Sequence, residues 1–335
     1  MEKQRVVVIG GGTGTYNLLS GLKKFQKEID ISAVVTMADS GGSTGRLRDE
    51  FGFLPVGDVR RALVALAGDD SEHQELLREL FLYRFDRGEG LNGHSFGNLL
   101  LVALTDILGS EEVAIKAAAR VLRVRGNVVP VTTEKVDLVA TYSDGSEVVG
   151  EHEIDEPSEE RAQHTITKLF VTPRARLSES AESTLSNADL IVLGPGDLFT
   201  SVLANCVVDG VAEIIENSDA KLVYVCNLMT RFGQTTSMGV SEHIKQIFRY
   251  VGRAPDVVLV NTGTFPADLL ARYAEDNEFP VVNDYQGSEC LVIAEDLLAT
   301  EAVKTVKGDV LKRSLIRHDS TKLAERVMSI LKEER

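Results

Sequence analysis

The stretch VVVIGGGTGTYNLLSGL, residues 6–22, decides how the rest of the chain is read. A short run of β-branched apolar residues enters a cluster of glycines and leaves as an amphipathic segment. That is the pattern of a strand, a tight turn and a helix. Glycine has no Cβ, so the backbone of the turn can come close to a ligand. The helix that follows offers free N–H groups and the positive end of its dipole. Together these make a phosphate cradle. Neither familiar signature is complete, however. In the dinucleotide frame that starts at Gly12 and Gly14, Asn17 stands where the third glycine belongs, and no Lys-Ser/Thr pair follows the glycines.

Working outward, short Val- and Ile-rich runs alternate with amphipathic stretches. Strands are expected over 5–9, 31–37, 190–193, 222–226, 257–260 and 280–282. Helices are expected over 16–25, 59–67, 73–84, 95–108, 111–121, 198–216, 241–250 and 267–275. Most of the strands lack polar alternation, as parallel strands covered on both faces do. The alternation predicts an α/β fold, a Rossmann-like doubly wound and mostly parallel sheet, as a single domain over 1–335. Residues 128–172 break the pattern with short β runs, and Ser143-Asp144-Gly145 reads as a hairpin turn. A small β-rich insertion or flap is expected there. Segment 319–335 reads as an amphipathic C-terminal helix capped by Asp319 or Ser320.

The second expected strand is followed by Asp39 and then at once by Ser40-Gly41-Gly42-Ser43-Thr44-Gly45, Arg46 and Arg48. Small hydroxyl residues and glycines suit an anion nest, which arginines complete. Asp58 is expected to N-cap the next helix. Arg60 and Arg61 then fall in its first turn, where cations oppose the dipole and hint at an outside anion. In GLNGHSFGNLLLVAL, His94 and Asn98 lie four apart on one helix face, a spacing that serves a site and a packing contact equally well. Three more strand ends carry polar, glycine-bearing loops. They hold Gly194-Pro195-Gly196 with Asp197, Thr200 and Ser201, then Asn227 and Thr230 with Gly233-Gln234-Thr235, then Asn261-Thr262-Gly263. Five such loops on one sheet edge predict a ligand crevice, with glycine nests for a diphosphate and Asn and Thr for sugar hydroxyls and a base. The sequence shows no nucleophile elbow, no zinc-helix motif and no lysine in a glycine loop.

Composition narrows the classes. The chain has 335 residues, 43% hydrophobic and 26% charged, enough for a sizeable core. A formal net charge of −15, with no long basic run, argues against a nucleic-acid partner and against anionic lipid. Cys206, Cys226 and Cys290 form no C-x-x-C pair and read as buried thiols of a reducing compartment. No signal peptide is expected before the first strand, and the most apolar helix is too short to span a membrane and carries Asp106. A cytoplasmic location is expected. The oligomeric state is open, a homodimer being common for this fold.

The motifs VVIGGGTGTYNLLSGLK, VVTMADSGGSTGRLR, PVGDVRRALVALA, GHSFGNLLL, LIVLGPGDLFTSVLAN, YVCNLMT and LIRHDSTKLA together resemble, in order and spacing, the gluconeogenesis factor family. That family is related to the 2-phospho-L-lactate transferases, and the resemblance covers nearly the whole chain. It implies a Rossmann-like core in a bacterial cytoplasmic protein. It also implies a role in growth on gluconeogenic carbon sources, in cell shape and in wall synthesis, with room for a protein partner there. Family members are associated with UDP-sugars such as UDP-N-acetylglucosamine. The transferase relatives use a nucleotide diphosphate donor and Mg²⁺ and hand a phospholactyl group to a flavin-like alcohol, so an Mg²⁺-dependent transferase is the alternative.

Carried over by motif, the resemblance implies that Gly11, Gly12, Thr13 and Gly14 face the ligand's phosphates. Asp39, Ser40, Gly41, Gly42 and Ser43 then line the same crevice, with Asp39 the residue for a metal or hydroxyl contact and the catalytic candidate in an enzyme. Asn98, Gly194, Gly196, Asn227 and Thr230 close the other sides, and Tyr273 and Arg317 touch the nucleotide sugar. The chain departs from the family after NLMT. There Gln-Pro-Gly-Glu-Thr is usual, and this chain has Arg231-Phe232-Gly233-Gln234-Thr235, which removes a carboxylate at 234.

Overall fold

The computed structural model describes residues 3–300 and 315–333. Its strands are β1 Gln4–Gly10, β2 Ile29–Val35, β3 Asn127–Pro130, β4 Asp137–Tyr142, β5 Glu147–Val149, β6 Ile166–Thr172, β7 Leu190–Leu193, β8 Lys221–Val225, β9 Val257–Asn261 and β10 Leu291–Glu295. The first helices are α1 Gly12–Leu22, α2 Gly42–Phe51, α3 Gly57–Leu66, α4 Glu72–Leu82, α5 Phe96–Leu108 and α6 Glu111–Val121. There follow α7 Glu151–Asp155, α8 Glu179–Ser186, α9 Ala204–Cys206, α10 Val211–Asn217, α11 Val240–Val251, α12 Ala267–Glu275 and α13 Ser320–Lys332.

Seven strands form one parallel sheet in the order β10-β9-β8-β7-β1-β2-β3, with helices flanking it. Val6, Val7, Val8 and Ile9 of β1 are at most 1% exposed, which accounts for their unbroken apolar run. Each such side chain contributes about 1.5–3 kcal/mol by its burial. From β1 the chain moves to β2 and β3 on one side, then returns to β7 on the other. The strand order reverses at β1, the switch point at which open α/β sheets commonly place a ligand crevice. Gly21 lets α1 lie against α13, because a Cβ there would run into the Ser320 backbone.

The second sheet is small and antiparallel, in the order β5-β4-β6. Tyr142 N donates to Ser146 O across the expected hairpin, and Gly145 takes φ +84. This sheet is narrower than the 128–172 segment read from sequence, since 128–130 belongs to β3 of the main sheet.

Other differences have local causes. Pro280 lacks an N–H and makes only an isolated bridge with Met229, so 280–282 is no strand, and β10 takes the sheet edge instead. The single helix expected over 198–216 is a wide π turn at Leu198–Leu203, then α9 and α10, separated by Gly210 at φ +95. The glycine- and serine-rich start of α2 has poor helix propensity and reads as loop, yet it is helical from Gly42. Asp319, rather than Ser320, caps α13, and the last two residues of the expected 319–335 helix lie outside the described residues. All three cysteines are buried and free. No helix among the described residues is long and apolar enough to cross a membrane.

Candidate functional site

The first glycine loop starts α1. Gly11 is its N-cap and brings no capping side chain of its own, and the first turn holds no acidic residue. Gly12, at φ +67, leaves room for a Cβ, which would rest in ordinary contact 3.8 Å from Arg61 Nη1 and from Ser201 Oγ. Gly14 serves packing instead: a Cβ there would lie 2.5 Å from Pro195 O in the third loop. Thr15 Oγ1 donates to that same carbonyl at 3.1 Å.

The second loop is built the same way. Asp39 Oδ1 accepts from Gly41 N at 2.9 Å, and Gly41 N-caps α2 without a side-chain bond. Gly42, at φ +49, would meet nothing within 4 Å of a Cβ, so it borders open space. Ser43 and Thr44 turn inward. Asn98 Nδ2 donates to Ser43 Oγ at 3.3 Å and to Thr44 Oγ1 at 3.4 Å, and Arg60 Nε donates to Asn98 Oδ1 at 2.8 Å. His94, just before α5, sits with Nδ1 3.2 Å from Ser43 Oγ. His94, Asn98 and Arg60 thus form a buried polar prop under the loop. Ser40 Oγ accepts from His152 N at 3.0 Å, which seats α7 of the small sheet over the loop.

Asp58 corrects the sequence reading. It lies inside the first turn of α3, whose N-cap is Val56, and makes no cap bond to its own helix. Its Oδ1 accepts instead from Gly12 N at 2.9 Å, and Arg61 Nη1 stands 3.4 Å away.

On the far side, Asn227 Nδ2 donates to Gly196 O at 2.8 Å, while its Oδ1 accepts from Tyr224 OH at 3.1 Å. Gly194 takes φ +78 beneath this contact. Thr230 exchanges bonds with Phe279, N to O at 2.7 Å and Oγ1 from N at 2.9 Å. Tyr273 OH accepts from Leu315 N at 2.8 Å and from Ile316 N at 3.2 Å, which brings it beside Arg317.

Charge divides the crevice. One wall is cationic, with Arg46, Arg61, Arg84 and Arg317. Burial, with Arg61 and Arg46 adding, holds the Arg84 guanidinium below its ordinary value. Burial likewise lowers Arg317, with Arg61 adding and Tyr273 and Tyr16 opposing. The acidic wall holds Asp39, Asp58, Glu151, Asp155 and Asp197, and it adjoins the cations where Asp58 pairs with Arg61. Burial pushes Asp58 up, Arg61 opposing and Asp39 adding. Burial, then Asp39 and Asp155, pushes Glu151 well above the carboxylate range. Asp197 is pushed up to about 7 by burial and then by Asp155, against Arg231.

Arg231 ties this wall together. Its Nη1 donates to Glu278 Oε1 at 3.1 Å and its Nη2 to Asp155 Oδ2 at 3.2 Å. Gln234 Nε2 donates to Asp155 Oδ1 at 2.9 Å, a bond that a carboxylate at 234 could not make. Glu151 and Asp155 escaped the sequence reading because α7 belongs to the polar insertion, far along the chain from the glycine loops. Among the described residues, no three His, Cys, Asp or Glu side chains group to hold a metal ion.

These features define a Rossmann-like α/β protein with its glycine loops gathered at the switch point of the sheet. The family model of the 2-phospho-L-lactate transferase CofD matches residues 6–298. A gluconeogenesis factor of Bacillus subtilis is 38% identical over 335 residues, covering 99% of this chain and 99% of its own. A gluconeogenesis factor of Halalkalibacterium halodurans is 40% identical over 333 residues, with 98% and 97% covered. A crystal structure of a UPF0052 family member from Bacillus halodurans matches with a TM-score of 0.87 at 37% identity, covering 98% of this chain and 99% of that one. The chain belongs to the CofD family and, within it, to the gluconeogenesis factors.

Proposed function

We propose that this chain binds a uridine-diphosphate sugar, UDP-N-acetylglucosamine first among them, and acts as a regulator in the cytoplasm. In this reading it supports gluconeogenic growth and links it to cell shape and wall synthesis through a protein partner. The relatives' name, gluconeogenesis factor, supports the metabolic part. The observation that carries the ligand is the pairing of two glycine-started helices, α1 and α2, with no side-chain cap at the start of α2, open space at Gly42, and Arg61 beside Gly12. The diphosphate lies against Gly12, Thr13 and Gly41 to Gly42. Arg61 and Arg317 offset its charge, and the Tyr273 ring flanks the sugar and base, while Asn227, bonded to Gly196 and Tyr224, positions the third loop. Ser43, Asn98 and Thr230 shape the crevice from within, since their polar atoms already have protein partners. Calorimetric titration with UDP-N-acetylglucosamine tests this. One-to-one binding is expected, weakened about tenfold, or about 1.4 kcal/mol, by Arg61→Ala. Failure to bind any uridine nucleotide sugar would overturn the reading.

The acidic wall favours a second reading, an Mg²⁺-dependent transferase. Asp39 and Asp58 offer hard oxygen ligands whose repulsion a divalent cation relieves, and Mg²⁺ commonly rests on one or two carboxylates plus the phosphates of the substrate. When bound, the ion would neutralise charge on the diphosphate. Arg61 would orient the donor, α7 would screen it from water, and Asp197 could move a proton near neutral pH. This reading expects Mg²⁺-dependent cleavage of a nucleotide diphosphate donor, abolished by Asp39→Asn. Unchanged product formation in that variant would remove Asp39 from the account.

A further inference from the structure

A second cavity, of about 390 Å³, lies away from the glycine loops, between the C-terminal end of α2 and the root of the small sheet. Phe53, Leu54, Pro55, Val136 and Pro173 give it apolar walls. Arg48 and Lys135 bring two cations to it, and Asp137 one carboxylate. Arg48 Nη2 donates to Asp137 Oδ1 at 2.5 Å, while Arg48 Nη1 is buried with no partner. The Lys135 ammonium would stand 3.2 Å from a Cβ on Gly52 and has no hydrogen-bond or ion-pair partner among the described residues. Among the lining residues one positive charge is in excess, with the exposed Asp49 also 3.8 Å from Arg48 Nε outside the cavity. The carbonyl end of α2 repels an anion with about half a charge, against which the two cations together prevail.

We propose that this cavity is a binding site for a small amphipathic monoanion, an apolar body bearing one carboxylate or sulfonate. The volume falls within the roughly 300–1,000 Å³ of small-molecule sites, and an apolar lining with a few convergent polar groups is their usual make-up. The anionic group meets Lys135, with the Arg48 guanidinium behind it, and the body lies on Leu54, Pro55 and Val136. The site also has a structural consequence. The Arg48–Asp137 pair ties α2 to β4, and residues 135–137 and 173 are where the chain enters and leaves the small sheet. A bound anion competes with Asp137 for Arg48 at the joint that carries α7 over the second glycine loop.

The probe is 8-anilinonaphthalene-1-sulfonate, followed by fluorescence on the full chain. One saturable site is expected. Lys135→Glu should weaken it about fivefold and Lys135→Arg restore it, whereas Asp137→Asn should tighten it about threefold by removing the competing charge. Circular dichroism confirms that each variant is folded. Affinities that stay within twofold across Lys135→Glu and Asp137→Asn would overturn the proposal, as would the absence of saturable binding.

Discussion

The backbone N–H of Gly12 donates to Asp58 Oδ1 at 2.9 Å, so a carboxylate of α3 caps the first turn of α1 rather than its own helix. The bond crosses 46 residues of sequence and joins the first glycine loop to the helix that carries Arg61. Removing it with Asp58→Ala leaves the amide without its acceptor and should cost about 1–2 kcal/mol. Asp58→Asn keeps an acceptor and discharges a buried carboxylate, so it should cost under about 0.5 kcal/mol. Urea unfolding at pH 7 separates the two. Equal losses would show that the charge, and not the bond, holds the loop.

Glycines in the two loops should divide by role. Gly14→Ala drives a methyl into the Pro195 backbone, which cannot yield without moving the third loop, and a loss of about 2–3 kcal/mol is expected. Gly42→Ala meets open space and carries only the strain of φ +49, about 1 kcal/mol. Its methyl enters the crevice, so ligand affinity should fall while the fold persists. Thermal melts paired with titration give both numbers.

Asp197 should make stability depend on pH. Its carboxyl is raised in the folded chain from 3.8 to about 7, so between those values the folded state holds a proton that the unfolded state has lost. The contribution is therefore fully present below the unfolded value and is lost as pH rises toward 7. Asp197→Asn should raise stability by about 1–3 kcal/mol at pH 8 and change nothing near pH 4. A pH-independent difference would place the cause elsewhere.

Arg231 holds Asp155 and Glu278 at once. Arg231→Met removes the cation that both carboxylates share and should cost about 2–4 kcal/mol. Arg231→Lys cannot fork to both and should recover only part of it. Denaturant midpoints of the three proteins check the order.

The parts legible in the sequence are those whose physics is local. The Val6-to-Ile9 run, the glycines after it and the period of α1 lie within one stretch, and the parallel order follows from repeating that unit. Segment 291–295 hid because its apolar run, continued by Glu295, Asp296 and Leu297, fits a strand or a helix equally. The start of α2 hid behind its low helix propensity. In the crevice, the glycine loops were readable, but the partners of their polar atoms were not. Ser43 meets Asn98 and His94 from 55 and 51 residues away, and Ser40 meets His152 from 112. Such pairings depend on tertiary placement, and so does the acidic wall that α7 completes.

The most direct test of the central claim is a phosphorus NMR spectrum of UDP-N-acetylglucosamine with near-stoichiometric protein and Mg²⁺. The account predicts that the two diphosphate resonances shift or broaden, with no new signals over time, and that Arg61→Ala reverses the change. New phosphate peaks that grow with time would move the chain to the transferase reading. Resonances that match those of the free ligand would contradict the claim that the glycine-started helices hold a nucleotide diphosphate sugar.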